Sequence, residues 1–266
     1  MQFSLKFIMF VTLSLMMVPQ ISFAQTQTNK PQEAVAIYRQ AIKVDPKNYS
    51  AYVSLGEMLP IAQAVSTFRQ LSKLYPKNDV PYQALGYVFA RNGKLNEATT
   101  AYRQAVKINP TAFNYGQLGD ILMQQKKTEE AIAVFRQAVT KEPNDYNYSS
   151  LAAALVKQGK FAEALAGCQQ VITLRKGLYE TCLITGVALY EKQGLPAVIT
   201  AYRQFAADVK PKHMAELYVR LGNEILKRGD RKKDEAKNEA IATYQEALKI
   251  HPGDKDAQQA LNYLQQ

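Results

Sequence analysis

The chain has 266 residues, 47% hydrophobic and 21% charged, a composition that excludes disorder and collagen and allows a sizeable core. Its formal charge of +10, from 33 Lys and Arg against 23 Asp and Glu, suggests anionic company. Two Cys and two His do not read as a four-ligand zinc site or a dense disulfide framework.

The first 24 residues predict a secretory signal. One positive charge precedes an apolar run from Phe7 to Val18, and Ser22-Phe23-Ala24 puts small residues where a signal peptidase reads, with cleavage after Ala24. As a helix the run reaches about 18 Å, short of the roughly 30 Å hydrocarbon core that a span must cross. An uncleaved anchor is the other reading. Residues 25–31 follow as a flexible arm.

From residue 32 to 255 the chain repeats with a period of about 34. Pro46, Pro76, Pro110, Pro143, Pro211 and Pro252 mark it, and Gly56, Gly86, Gly119, Ala152, Gly186 and Gly222 run in step. Between them an Ala is followed after four residues by an aromatic and after three more by an apolar residue, as in Ala98/Tyr102/Ala105 and Ala131/Phe135/Ala138. Spacings of four and three mark one helix face. Each unit therefore predicts two antiparallel helices, the small Gly of the first and small Ala of the second letting them approach, with proline ending the second. Such a hairpin cannot bury both faces alone, so the units stack into one array. An unpaired second helix near Gln32 to Val44 opens it, leaving Val35, Ile37 and Ile42 under-covered. Residues 256–266, with Ala257, Ala260, Leu261 and Leu264 on one face, predict a capping helix.

Tyr82-x2-Leu85-Gly86-x2-Phe89, then Gly93, Ala98-x3-Tyr102-x2-Ala105 and Pro110, resembles a nearly complete tetratricopeptide repeat. The resemblance runs from Gln32 to Pro252 and implies an all-α, right-handed superhelical solenoid of one half repeat and six repeats. Departures fall in the unit after Pro46, which lacks four residues and carries Pro60 in its first helix, and in the unit that gains six residues between Gly222 and Ala240. Cys168 replaces the expected aromatic and Val198 the expected Ala. The resemblance further implies that the first helices line a concave groove, placing Gln83, Tyr87, Arg91, Gln117, Asp120, Gln124, Ser149, Ala153, Lys157, Arg220 and Asn223 on it as the partner-binding surface. The family's carboxylate clamp, a Lys with an Asn one turn later, is not reproduced: the corresponding pairs are Gln83/Tyr87, Gly116/Asp120 and Ser149/Ala153.

No nucleophile, base and orienting group come at a recognisable spacing, and His213 and His251 fall at loop or helix-end positions, so neither catalysis, nor a metal, nor a cofactor is expected. Cys168 and Cys182 lie about seven residues on either side of a turn near Arg175 to Gly177, level on antiparallel helices. Free buried thiols and a disulfide both fit that placement. Arg39, Arg69, Arg103, Arg136 and Arg203 recur at one position of the second helices and predict a basic stripe, and Lys227-Arg228 with Arg231-Lys232-Lys233 a second basic patch. The resulting reading is an exported scaffold, periplasmic or secreted, that binds a protein or peptide in its groove. Its alternative is an adaptor held by its basic edge to anionic lipid or polymer. Nucleic acid is not expected, because export removes the usual substrate and the aromatics fall at core spacing.

Overall fold

The computed structural model describes residues 31–174, 180–228 and 233–266. The predicted signal and arm up to residue 30, the predicted turn near residues 175–177, and Arg231 and Lys232 of the second basic patch lie outside the described residues. Fourteen α-helices follow in order, with no strand among the described residues: α1 (Pro31–Val44), α2 (Tyr49–Met58), α3 (Ile61–Leu74), α4 (Val80–Arg91), α5 (Leu95–Ile108), α6 (Ala112–Gln124) and α7 (Thr128–Lys141), then α8 (Asp145–Lys157), α9 (Phe161–Leu174), α10 (Glu180–Gln193), α11 (Leu195–Phe205), α12 (Pro211–Arg228), α13 (Lys233–Ile250) and α14 (Lys255–Gln265). Each even-numbered helix from α2 to α12 is the first of a pair, the next its second, and the pairs stack into an all-α solenoid closed by α14.

Local chemistry sets these boundaries. Asn48, Thr111 and Asn144 cap α2, α6 and α8 by accepting from the backbone N–H three residues on, and Asp254 does the same for α14. Within a pair the chain turns through a left-handed residue: Gly93 (φ 70°), Lys126 (φ 62°), Gly159 (φ 74°) and Gly194 (φ 81°) form a series at the repeat period. At the first three, the N–H of the following lysine returns to a carbonyl five residues back, Lys94 to Phe89, Lys127 to Leu122 and Lys160 to Leu155. Lys126 is the one non-glycine in this conformation among the described residues.

Pro46, Pro76, Pro110, Pro143 and Pro252 each stand two residues beyond a helix end. Two prolines behave otherwise than the sequence pattern predicts. Pro60 does not sit inside a first helix; it separates α2 from α3, because Leu59 before it is held extended (φ −91°, ψ 144°). Pro211 does not end a second helix. It opens α12, where its missing N–H has no intrahelical partner to lose, while α11 stops at Phe205 and a short 3₁₀ turn (Ala206–Asp208) follows.

The core explains the Gly series, with a correction. Each Gly of the periodic series lies closer to the aromatic of the second helix than to its Ala. A Cβ on Gly86 would lie within 2.8 Å of three Tyr102 ring atoms, and one on Gly56 3.2 Å from the Phe68 ring. The aromatics thus sit on bare first-helix backbone, and Tyr52, Phe68, Phe135, Tyr202 and Tyr244 are buried with them. Where Ala152 stands in the Gly position, the smaller Cys168 stands in the position of the aromatic, and both are buried. Of the opening helix's apolar residues, Ile42 is buried and Ile37 remains 48% exposed.

Cys168 on α9 and Cys182 on α10 are bridged, with Cα atoms 4.8 Å apart and both side chains fully buried. Of the two readings left open by sequence, the structure has the disulfide. It occupies the seam filled one unit later by Tyr202 of α11 and Tyr218 of α12, whose rings meet edge to face at 5.5 Å. A covalent staple here takes the place of an aromatic pair.

Candidate partner-binding groove

First helices pack on one another, α2 on α4, α6 on α8, α8 on α10 and α10 on α12, and a side-chain bond from Gln83 to Asn114 links α4 to α6, so residues recurring on them fall on one side of the array. Tyr87 on α4 donates its hydroxyl to Glu57 of α2 at 2.6 Å. Arg91, one turn on, pairs with the same carboxylate at 3.3 Å and lies 5.7 Å from the Tyr87 ring centre. Burial and the bond to Glu57 push the Tyr87 phenol up, and Arg91 opposes them.

On α6, Gln117 accepts from the Tyr102 hydroxyl at 3.3 Å, and Asp120 from the Tyr146 hydroxyl of α8 at 3.4 Å. Burial raises the Asp120 carboxyl above its ordinary value, and the Tyr146 bond offsets part of this. Ser149 of α8 shares a 2.9 Å hydrogen bond with Thr181 of α10. Gln124, Ala153 and Lys157 are exposed. On α12, Arg220 pairs with Glu216 at 2.9 Å, and Asn223 accepts from the Tyr244 hydroxyl at 2.7 Å.

Gln83 departs from the expected groove. It is 6% exposed and donates to Asp79 at 2.8 Å and to Asn114 at 2.7 Å. Asn114 in turn donates to the same Asp79 oxygen at 2.7 Å, and Asn109 does so at 3.2 Å. A buried carboxylate collects three amide donors there, which satisfies it and fixes the turn between α5 and α6. Gln83 therefore belongs to the wall between units, turned away from solvent by a partner 31 residues on.

Two side chains that sequence reasoning missed stand on this face: Phe113, 46% exposed, and Tyr146, 58% exposed. Each lies six residues before the small residue of its helix, Gly119 or Ala152, which is the signal that sets them off the core period. The Phe113 ring meets Tyr49 of α2 edge to face at 5.4 Å.

The predicted basic stripe is largely neutralised. Arg103 pairs with Glu130 at 2.8 Å, Arg136 with Glu163 at 2.5 Å and Arg203 with Glu246 at 2.7 Å. Burial would raise the Glu246 carboxyl, but its bonds from Lys249 and Arg203 prevail and hold it below its ordinary value. Arg39 and Arg69 have no ion pair among the described residues. In the second patch, Lys227 bonds to Glu224 at 2.6 Å and Arg228 pairs with Glu191. Among the described residues no group of three or more His, Cys, Asp or Glu could hold a metal ion, and no helix is long and apolar enough to cross a membrane. His251 faces Asp254 at 3.8 Å beyond α13, and His213 lies in the first turn of α12.

Tetratricopeptide-repeat family models match residues 20–48, 84–146 and 122–175. The C-terminal part of a TPR repeat-containing protein from Cytophaga hutchinsonii superposes with a TM-score of 0.53 at 16% identity, over 88% of this chain and 95% of that one. Pseudomonas aeruginosa pilF gives 0.48 at 20% identity over 88% and 99%. A chain of the APC/C hetero-tetramer Cut9-Hcn1 gives 0.48 at 18% identity over 89% of this chain, which spans 46% of that one. A comparison with curated proteins finds no match. The Cytophaga superposition carries the fold comparison, and identities this low speak for the fold alone. With its 34-residue period, its nested helix pairs and three family-model matches, the chain is a tetratricopeptide-repeat protein, a scaffold for protein interactions.

Proposed function

We propose that this chain is a non-enzymatic scaffold of the cell envelope whose first-helix groove holds an extended segment of a partner protein. The observation that carries the reading is the exposure of Phe113 and Tyr146 on a face that also carries hydrogen-bonded polar groups. Such a face offers apolar anchors between groups that fix orientation. The signal pattern up to Ala24 supports export, and a disulfide at Cys168–Cys182 suits an oxidising compartment. With most of its arginines paired, the basic edge favours the groove over attachment to an anionic surface.

Selection of random dodecapeptides on the exported chain, followed by fluorescence anisotropy, tests the groove. A selected peptide should saturate with Kd near a micromolar, about −8 kcal/mol. Phe113→Ala and Tyr146→Ala should each raise that Kd about tenfold, and Arg103→Ala should leave it unchanged. Equal losses from all three, or no saturable peptide, would refute the groove. Cell fractionation with N-terminal sequencing tests export separately.

A further inference from the structure

We propose, resting on the groove reading above, that the face of α6 between Phe113 and Asp120 is a subsite for the cationic side chain, Lys or Arg, of the bound segment. Phe113, Gly116 and Asp120 follow at spacings of three and four and share one side of the helix. Gly116 adds no side chain and is itself buried, so a ring can lie against the backbone between the other two. Tyr146 leans over it from α8, its ring edge 3.8 Å from where a Gly116 Cβ would stand and its hydroxyl 3.4 Å from Asp120. At the other end the Phe113 ring is braced by Tyr49.

Charge complementarity names the occupant. Asp120 is half-buried and has no cation within 4.0 Å among the described residues, and a carboxylate withdrawn from water is costly until a positive charge meets it. The array itself shows a completed arrangement two units earlier, where the Glu57 carboxylate, the Tyr87 hydroxyl and the Arg91 guanidinium stand together. At Asp120 a carboxylate again receives a tyrosine hydroxyl, here from Tyr146 at a different position of its helix, and no guanidinium joins them. One turn beyond Asp120 the residue is the neutral Gln124, and Lys157, the counterpart of Arg91 on α8, is exposed and forms no pair with Asp120. A lysine or arginine from the partner supplies the missing third member, its head on Asp120 and its stem along the Tyr146 ring.

The test starts from a dodecapeptide selected on the full exported chain and displaced by the Phe113→Ala substitution. The selected sequences should share one Lys or Arg. Replacing that residue by norleucine, which keeps the stem and removes the charge, should raise Kd about tenfold on the unsubstituted chain. Asp120→Asn should raise Kd for the cationic peptide by a similar factor and bring the two peptides within twofold of each other. Arg103→Ala, on the second-helix edge outside the groove, should leave the cationic peptide's Kd unchanged. Groove-bound peptides without a shared cation, or equal affinity for the lysine and norleucine forms, overturn the subsite and leave the groove standing. A chain that saturates with no peptide overturns both. The norleucine comparison uses the unsubstituted chain, so it decides even where a variant folds poorly.

Discussion

Two glycines three residues apart on α6 should respond to the same substitution with opposite signs. A Cβ added to Gly119 would come within 2.7 Å of three atoms of the Phe135 ring, which is 1% exposed. Overpacking of that kind costs about 1 to 3 kcal/mol. Three buried ring atoms place Gly119→Ala at the upper end, and the better helix propensity of Ala returns about 1 kcal/mol, for a net loss of about 2 kcal/mol. At Gly116 the nearest atom is a Tyr146 ring carbon at 3.8 Å, an ordinary contact, so only the propensity gain remains and Gly116→Ala should stabilise by about 0.5 to 1 kcal/mol. Urea unfolding followed by far-UV circular dichroism reads both as midpoint shifts at a common slope. Thermal midpoints should separate by about 5 to 12 °C at about 2 to 4 °C per kcal/mol. If the two variants shift in the same direction, or Gly119→Ala is neutral, then the Gly series does not seat the aromatics.

Lys126→Gly should stabilise by about 0.5 to 1 kcal/mol in the same urea assay, because a residue at φ 62° carries a left-handed penalty that its counterparts Gly93 and Gly159 avoid; destabilisation would show that the lysine side chain holds the turn. Replacing Cys168 and Cys182 together by Ala should cost about 3 kcal/mol, the chain-entropy value for a loop of about 15 residues, and reductant should bring the unsubstituted chain to the same midpoint. A shift below about 1 kcal/mol would mean that the packing of α9 on α10 suffices without the bond. Burial pushes the Tyr49 and Tyr190 phenols up to about 12, so folding favours their neutral forms. That contribution is complete below pH 10 and is lost between about pH 10 and 12; urea midpoints should fall across that window, and Tyr49→Phe with Tyr190→Phe should flatten the fall.

The repeat architecture was legible because three series with one period constrain one another. Proline, glycine and alanine-aromatic positions each recur, and a helix pair is the unit that places all three. Which atoms touch was not legible: Gly86 and Tyr102 stand 16 residues apart, and spacing alone favoured the nearer pairing of small with small. Proline is ambiguous for a related reason, since its fixed φ suits both the stop before Pro46 and the start at Pro211. In the groove, the register of first helices located Tyr87, Arg91 and Asp120 on one face. It failed at Gln83 because burial there depends on Asp79 and Asn114, and such a network leaves no periodic trace. The arginine series alone predicts a stripe of charge, and its neutralisation depends on Glu130 and Glu163, each 27 residues beyond its partner.

Pairing along the arginine edge changes what a distant object meets. From Arg103 onward the pairs present short dipoles, whose potential dies away faster with distance than that of a lone charge. Arg39 and Arg69, at the amino-terminal end, keep the longer reach of monopoles, though in physiological salt even these fade over about 8 Å. The edge's own contribution to the far field is therefore lopsided: it draws a negative charge more strongly toward the amino-terminal end, even where final contact involves none of these side chains.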